Sequence, residues 1–161
     1  MKMTLSNVSL LIATVTLGVI FIAGVRERIV NIPQWFANPP SSFELIRQQA
    51  PSAVRFWIPV QIVFVVSLIL AFVSNWRHTD VRMMMIVGTA AFLVVIALTA
   101  AYFVKEVMEF SRMPADAPVT EELLKRANLW FQTTVVRNII QGVALVFFVI
   151  AVIRNFRITN I

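Results

Sequence analysis

The sequence predicts an all-α fold, an integral membrane antiparallel four-helix bundle with a short outer-loop helix and a protruding fourth helix. Three observations predict it. Hydrophobic residues make up 59% of the 161 positions and charged residues only 14%. The mean hydropathy, +0.82, is well above that of a soluble domain. Four apolar runs, at about residues 8–25, 56–73, 83–104 and 129–153, each approach or exceed the roughly 20 residues an α-helix needs to cross a hydrocarbon core of roughly 30 Å. Four such spans leave no room for a second domain, so residues 1–161 read as one transmembrane unit.

The first run resembles a signal peptide in position. Its apolar stretch is longer than a typical signal core, and "AGVRER" after it lacks a small-residue cleavage site, so it reads as a retained first helix. Gly18 and Gly24 lie on that helix and are expected to let a neighbour approach closely. In the following loop, "NPPSSFELIRQQAPS", prolines stop the chain, and Ser41 with Glu44 makes the pattern of a capping box. Pro51 ends the segment, which reads as a short surface helix. Trp35 and Phe36 just ahead of it suit a membrane interface.

The second run enters through "VRFWIPVQ", and the short link "SNWRHTD" leads into the third. Met83, Met84 and Met85 open that helix and read as packing residues. In "MPADAPVTEELLKRANLW", Thr120 is placed to cap a helix whose first turn holds Glu121 and Glu122, where the helix dipole favours negative charge. The fourth helix is therefore expected to start near Glu121 and to project roughly 10–18 Å beyond the bilayer at 1.5 Å per residue.

Charge orients the bundle. The N-terminus, the short link and the C-terminal tail share one face with Lys2, Arg77, Arg82, Arg154 and Arg157, opposed by Asp80 alone. The two long loops share the other face, with nine basic and seven acidic residues over about twice the length. Density in short segments places both termini in the cytoplasm, with the long loops facing outward from a plasma (inner) membrane. The net charge of +6 would point to nucleic acid in a soluble chain. Here the basic residues flank apolar runs, so membrane lipids are the expected partner and nucleic acid is not. A homo-oligomer or a larger membrane complex is a further expectation left open.

The polar residues gather at the outer end. Trp130, Thr133, Thr134, Arg137 and Gln141 recur at spacings of three, four and seven, one face of the fourth helix. Arg137 falls roughly one turn inside the hydrocarbon boundary. It either snorkels outward, since helical side chains tilt toward the N-terminus, or faces the bundle interior with the rest of its stripe. Tyr102, Glu106 and Glu109 share one face at the outer end of the third helix, and an ion pair from Arg137 to Glu106 or Glu109 would neutralise buried charge. Arg55, Trp57 and Gln61 on the second helix, and Arg26 with Arg28 ending the first, converge on the same end. The candidate ligand-binding residues are therefore Arg137, Glu106, Glu109, Tyr102, Trp130, Gln141, Trp57 and Arg55, for a hydrophobic or aromatic small molecule. The alternative is a non-catalytic structural or accessory subunit whose Arg/Glu cluster only holds helix register.

Other chemistries find little support. The absence of cysteine removes disulfides and catalytic thiols. His78, the one histidine, sits in the short link at the opposite end, so haem held by two histidines within the chain is excluded. Glu106 and Glu109 lack the histidine and second glutamate pair of a di-iron bundle. No metal and no cofactor is expected, and no nucleophile-elbow, Walker or dinucleotide motif occurs.

Four stretches, "PQWFANPP", "VRFWIPVQ", "TAAYFVKEVMEF" and "LWFQTTVVRNII", together resemble the anthrone-oxygenase-like group of small four-helix membrane proteins. The firmest element is a Trp followed seven residues later by Arg, here Trp130 and Arg137. Members often carry an aromatic, His or Asn between the two, where this chain has Thr133 and Thr134. The resemblance implies a hydrophobic aromatic or lipid-like small molecule as ligand. It does not carry oxygenase activity across.

Overall fold

The computed structural model of the chain describes residues 4–159. Lys2, one of the charges used for orientation, lies outside the described residues. Four helical rods, each long and apolar enough to cross a membrane, account for nearly all of the chain: α1 (Leu5–Trp35), α2 (Ser41–Asn75), α3 (Thr79–Arg112) and α4 (Glu121–Thr159). No strand occurs among the described residues.

Each rod contains one of the four apolar runs and extends past it. α1 starts at Thr4, whose hydroxyl accepts a bond from the Asn7 amide, continues as an α-helix to Arg26, passes through a π-turn at Glu27–Asn31 and ends in one α-turn, Ile32–Trp35. α3 has the same construction, with a π-turn at Thr99–Phe103 between Thr79–Leu98 and Val104–Arg112. A π-turn inserts one residue into the helical repeat and rotates everything beyond it, and such turns concentrate at functional sites. α4 begins where the acidic first turn predicts, with Thr120 Oγ1 accepting from the Leu123 amide at 3.2 Å.

The loop before α2 departs from expectation. The surface helix is not separate: one 3₁₀ turn at Ser41–Phe43 runs directly into Glu44–Asn75, with Pro51 and Pro59 inside the helix. Pro51 therefore does not end a segment, because the rod is supported by packing of Ile46 and Phe64 on either side of it. Nor does a capping box form. Ser41 Oγ donates to the Asn38 carbonyl and Glu44 pairs with Arg47, while Ser42 Oγ accepts from the Asn38 amide and donates to the Trp35 carbonyl.

The core has two parts. Leu10, Leu17, Ile20, Phe64, Met85, Phe92 and Phe148 fill the middle and the short-link end, and the Phe64 ring meets Phe92 at 4.7 Å and Phe148 at 5.8 Å. The tight helix contact is at Gly88 on α3, where an added Cβ would lie 2.8 Å from the Phe148 ring and 3.2 Å from the Ala144 carbonyl. Gly18 and Gly24, expected to play this part, have ordinary clearance with nearest atoms at 4.0 and 3.5 Å. The second cluster, at the long-loop end, stacks Trp35, Phe36, Phe43, Phe103, Phe110 and Trp130. Trp35 and Phe36 thus pack inward rather than sit at an interface.

Both ends are stitched by polar bonds. At the short-link end Ser6 donates to Asn75 Oδ1 at 2.7 Å, and Asn155 Nδ2 donates to Ser6 Oγ and Asn7 Oδ1 at 2.9 and 2.8 Å. These bonds join α1, α2 and α4 where buried amides would otherwise be costly. At the long-loop end Trp35 Nε1 donates to Gln49 Oε1, and Arg47 reaches the carbonyls of Ser111 and Met113.

Candidate functional site

The rods do not close around one another evenly. α1 packs along α2, α3 along α4, and α1 against α4, whereas α2 and α3 touch only sparingly. Between them, toward the long loops, lies a cavity of about 690 Å³. Its floor is Ile20, Phe92 and Val95, all buried, and its roof is the aromatic cluster, through Trp35, Ile46, Phe103 and Trp130. Val54, Phe56 and Ile58 on α2 and Val104 on α3 line it and are exposed. The mouth is therefore lateral, between two rods, and edged with apolar side chains. A mostly apolar concavity with a few convergent polar groups is the usual form of a small-molecule site.

The buried charged groups among them stand on α1 and α4. Arg137 reaches the cavity with a side chain 12% exposed, and its Nη2 lies 3.8 Å from Glu27 Oε2. This is an ion pair beyond hydrogen-bond length. The guanidinium also lies over the Phe103 ring at 4.9 Å, a cation–π contact. Neither contact uses the N–H donors of the fork, so they remain free to meet a further acceptor. One turn deeper, Gln141 lines the wall at 5% exposure, and no protein group hydrogen-bonds its side chain among the described residues. Asn31, from the π-turn of α1, Gln49, Ser52 and Gln61 on α2, and Thr99 on α3 add further polar groups to the lining.

Glu27 and Asn31 belong to one π-turn, Thr99 and Phe103 to the other, and all four line the cavity. Arg28, beside Glu27, donates to the Phe131 carbonyl and to Thr134 Oγ1 and stacks on the Phe131 ring at 4.3 Å. It locks the π-turn of α1 to α4 and so fixes Glu27 opposite Arg137.

Of the eight residues singled out from sequence, Arg137, Gln141, Trp130 and Trp57 line the cavity. The indole of Trp130 is buried and donates to the Phe103 carbonyl at 3.1 Å. Tyr102 does not line the cavity; it packs edge-on against Phe103 within the aromatic cluster. Arg55 is exposed and outside it. Glu106 and Glu109 also lie outside, and the expected pairing with Arg137 is not made. Both bind Arg126, Glu106 at 3.0 Å and Glu109 at 2.5 Å, near the surface of the long-loop end. The physical reason is phase: the π-turn at Thr99–Phe103 rotates the last segment of α3, so its acids meet the first turns of α4 rather than the deeper stripe. The stripe itself faces inward, with Trp130, Thr134 and Gln141 buried, and Arg137 does not snorkel into solvent.

Glu27 is the partner that sequence reading passed over, because in "VRER" it looks like one more charge at a helix end. A signal was present. Ile20, Gly24, Glu27, Asn31 and Trp35 recur at spacings of four and three, matching the α4 stripe, and all of them line the cavity. No group of three or more His, Cys, Asp or Glu residues able to hold a metal ion converges among the described residues. No protein-family model, curated protein or solved structure matches the chain.

Proposed function

We propose that the protein is an integral membrane protein with four antiparallel spans and cytoplasmic termini, and that its lateral cavity binds an amphiphilic small molecule through Arg137. The observation that carries this reading is an incompletely satisfied guanidinium on the wall of a largely apolar cavity whose mouth lies between two apolar rods. A buried charge kept only to fix helix register would be expected to be fully hydrogen-bonded, with no space beside it. Here one ion pair at 3.8 Å and one ring satisfy it. A hydrophobic or aromatic ligand would slide in from the bilayer, seat its apolar part against Phe92, Trp57 and Ile96, and present an oxygen to Arg137. The resemblance to anthrone-oxygenase-like proteins agrees with a ligand of this kind. In this arrangement the long loops and the start of α4 form an outer cap.

The test is a pair of substitutions. Arg137→Lys keeps the charge but loses the planar fork that can face Glu27 on one edge and a ligand oxygen on the other. The expected result is a bundle of parental thermal stability in detergent that no longer retains a co-purified amphiphile by mass spectrometry, with Arg137→Ala losing both. Stability falling in step with retention in Arg137→Lys would support a purely structural role. Parental behaviour of both variants would remove Arg137 from any site.

A further inference from the structure

Below the ion pair, one carboxamide of the cavity wall has nothing to bond. The Gln141 side chain lines the cavity without a hydrogen-bond partner among the described residues, and Asn138 Oδ1, behind the lining, is buried without one. Both oxygens converge on Gly24, each 3.5 Å from where a Cβ would stand there. An amide left unbonded on a cavity wall is costly, so Gln141 calls for an occupant with its own donor. The charge on the same wall is already compensated, since Glu27 faces Arg137 at 3.8 Å. The remaining ionised group on the lining, Arg26, is exposed, where solvent and salt screen it.

Resting on the reading of the cavity as an amphiphile site, we infer that the ligand is an uncharged amphiphile whose head carries both a hydrogen-bond donor and an acceptor. Its acceptor faces Arg137, and its hydroxyl or amide N–H meets the Gln141 oxygen one turn deeper. An anionic head would satisfy Arg137 but would crowd the Glu27 carboxylate. A neutral head meets all of these groups at once.

Three of the four tryptophans, Trp35, Trp57 and Trp130, line the cavity, so their fluorescence reports a brominated chain entering it. The probes are a dibrominated monoacylglycerol and the lysophosphatidic acid of the same chain, alike in tail and glycerol and different in charge. They are titrated into the full-length protein in detergent at neutral pH. The monoacylglycerol should quench saturably at about tenfold lower concentration than its phosphate ester, whose charge crowds Glu27. Gln141→Leu should raise the concentration needed for both probes about tenfold, the worth of one well-placed hydrogen bond, since each keeps a glycerol hydroxyl. Glu27→Gln, which leaves Arg137 uncompensated, should reverse it in favour of the phosphate. A parental protein that prefers the phosphate would overturn the inference while leaving an amphiphile site standing, and so would Gln141→Leu quenched by the monoacylglycerol at the parental concentration. If neither probe quenches saturably, the amphiphile reading itself falls, and this inference with it.

Discussion

Removing the charge of Glu27 is the perturbation that tests the site's electrostatics most directly. At 3.8 Å and an effective dielectric of about 20, the attraction between Glu27 and Arg137 is about 4 kcal/mol before desolvation is counted. Deleting one partner of a buried pair usually costs about 3–5 kcal/mol, chiefly because the other charge is left uncompensated. Two features of this pair lower that figure. The contact is longer than a hydrogen bond, and the adjoining cavity can admit water to the stranded guanidinium. Glu27→Leu is therefore expected to destabilise the bundle by about 2–3 kcal/mol, at or just below the lower end of the range for broken buried pairs. For a chain of this length that is about 5–10 °C in Tm. Arg137→Met leaves Glu27 unpaired at a similar cost. The double variant Glu27→Leu/Arg137→Met strands neither charge and should recover at least about 1 kcal/mol relative to additivity. Thermal unfolding of the four proteins in one detergent, followed by circular dichroism, measures the coupling. Additivity within about 0.5 kcal/mol would show that the two side chains do not sense each other, and the charge-compensation argument for a neutral ligand would fail as well.

Gly88→Ala forces a methyl to within 2.8 Å of a fully buried Phe148 ring; the expected loss is about 1–3 kcal/mol of overpacking, read as a lower Tm, against a helix-propensity gain of up to about 1 kcal/mol. An unchanged or raised Tm would show that α3 and α4 separate freely at this point. Trp130→Phe removes the indole N–H that reaches the Phe103 carbonyl at 3.1 Å and should cost about 1 kcal/mol, with faster amide exchange around the π-turn at Thr99–Phe103 than in the parent. Single cysteines at Ser42 and Arg77 test the orientation in intact cells: an impermeant thiol reagent should label Ser42→Cys and spare Arg77→Cys, and the opposite pattern would place the long loops and the cavity inside the cell.

Much of the site was legible where it depends on one helix alone. The stripe of Trp130, Thr133, Thr134, Arg137 and Gln141 follows from the helical repeat; Trp130, Thr134 and Gln141 are buried, whereas Thr133 is half-buried and bonds carbonyls of its own helix. What periodicity could not reach was the partner on another rod. Two π-turns, at Glu27–Asn31 and Thr99–Phe103, shift the helical phase by one residue each. Glu27 opens the first and keeps the register of Ile20 and Gly24, whereas the second carries Glu106 and Glu109 away to Arg126. A five-residue π-turn has no distinct composition here, because "ERIVN" and "TAAYF" would sit equally well in an α-helix.

By itself the sequence determined the number and rough extent of the helices, since a run of apolar residues near the hydrocarbon thickness has one low-energy backbone solution, in which every amide bonds within its own helix. It also determined the start of α4, because Thr120 and the two glutamates after it are a local cap. Only the tertiary structure decided which rods touch: Gly88 rather than Gly18 or Gly24 makes the close approach, since Phe148 from α4 falls on it. The tertiary structure likewise decided that α2 runs on through Pro51, and that α2 and α3 part to leave a cavity. These outcomes depend on contacts between residues far apart in the chain, and a helical repeat records only which face a residue occupies, not what that face meets.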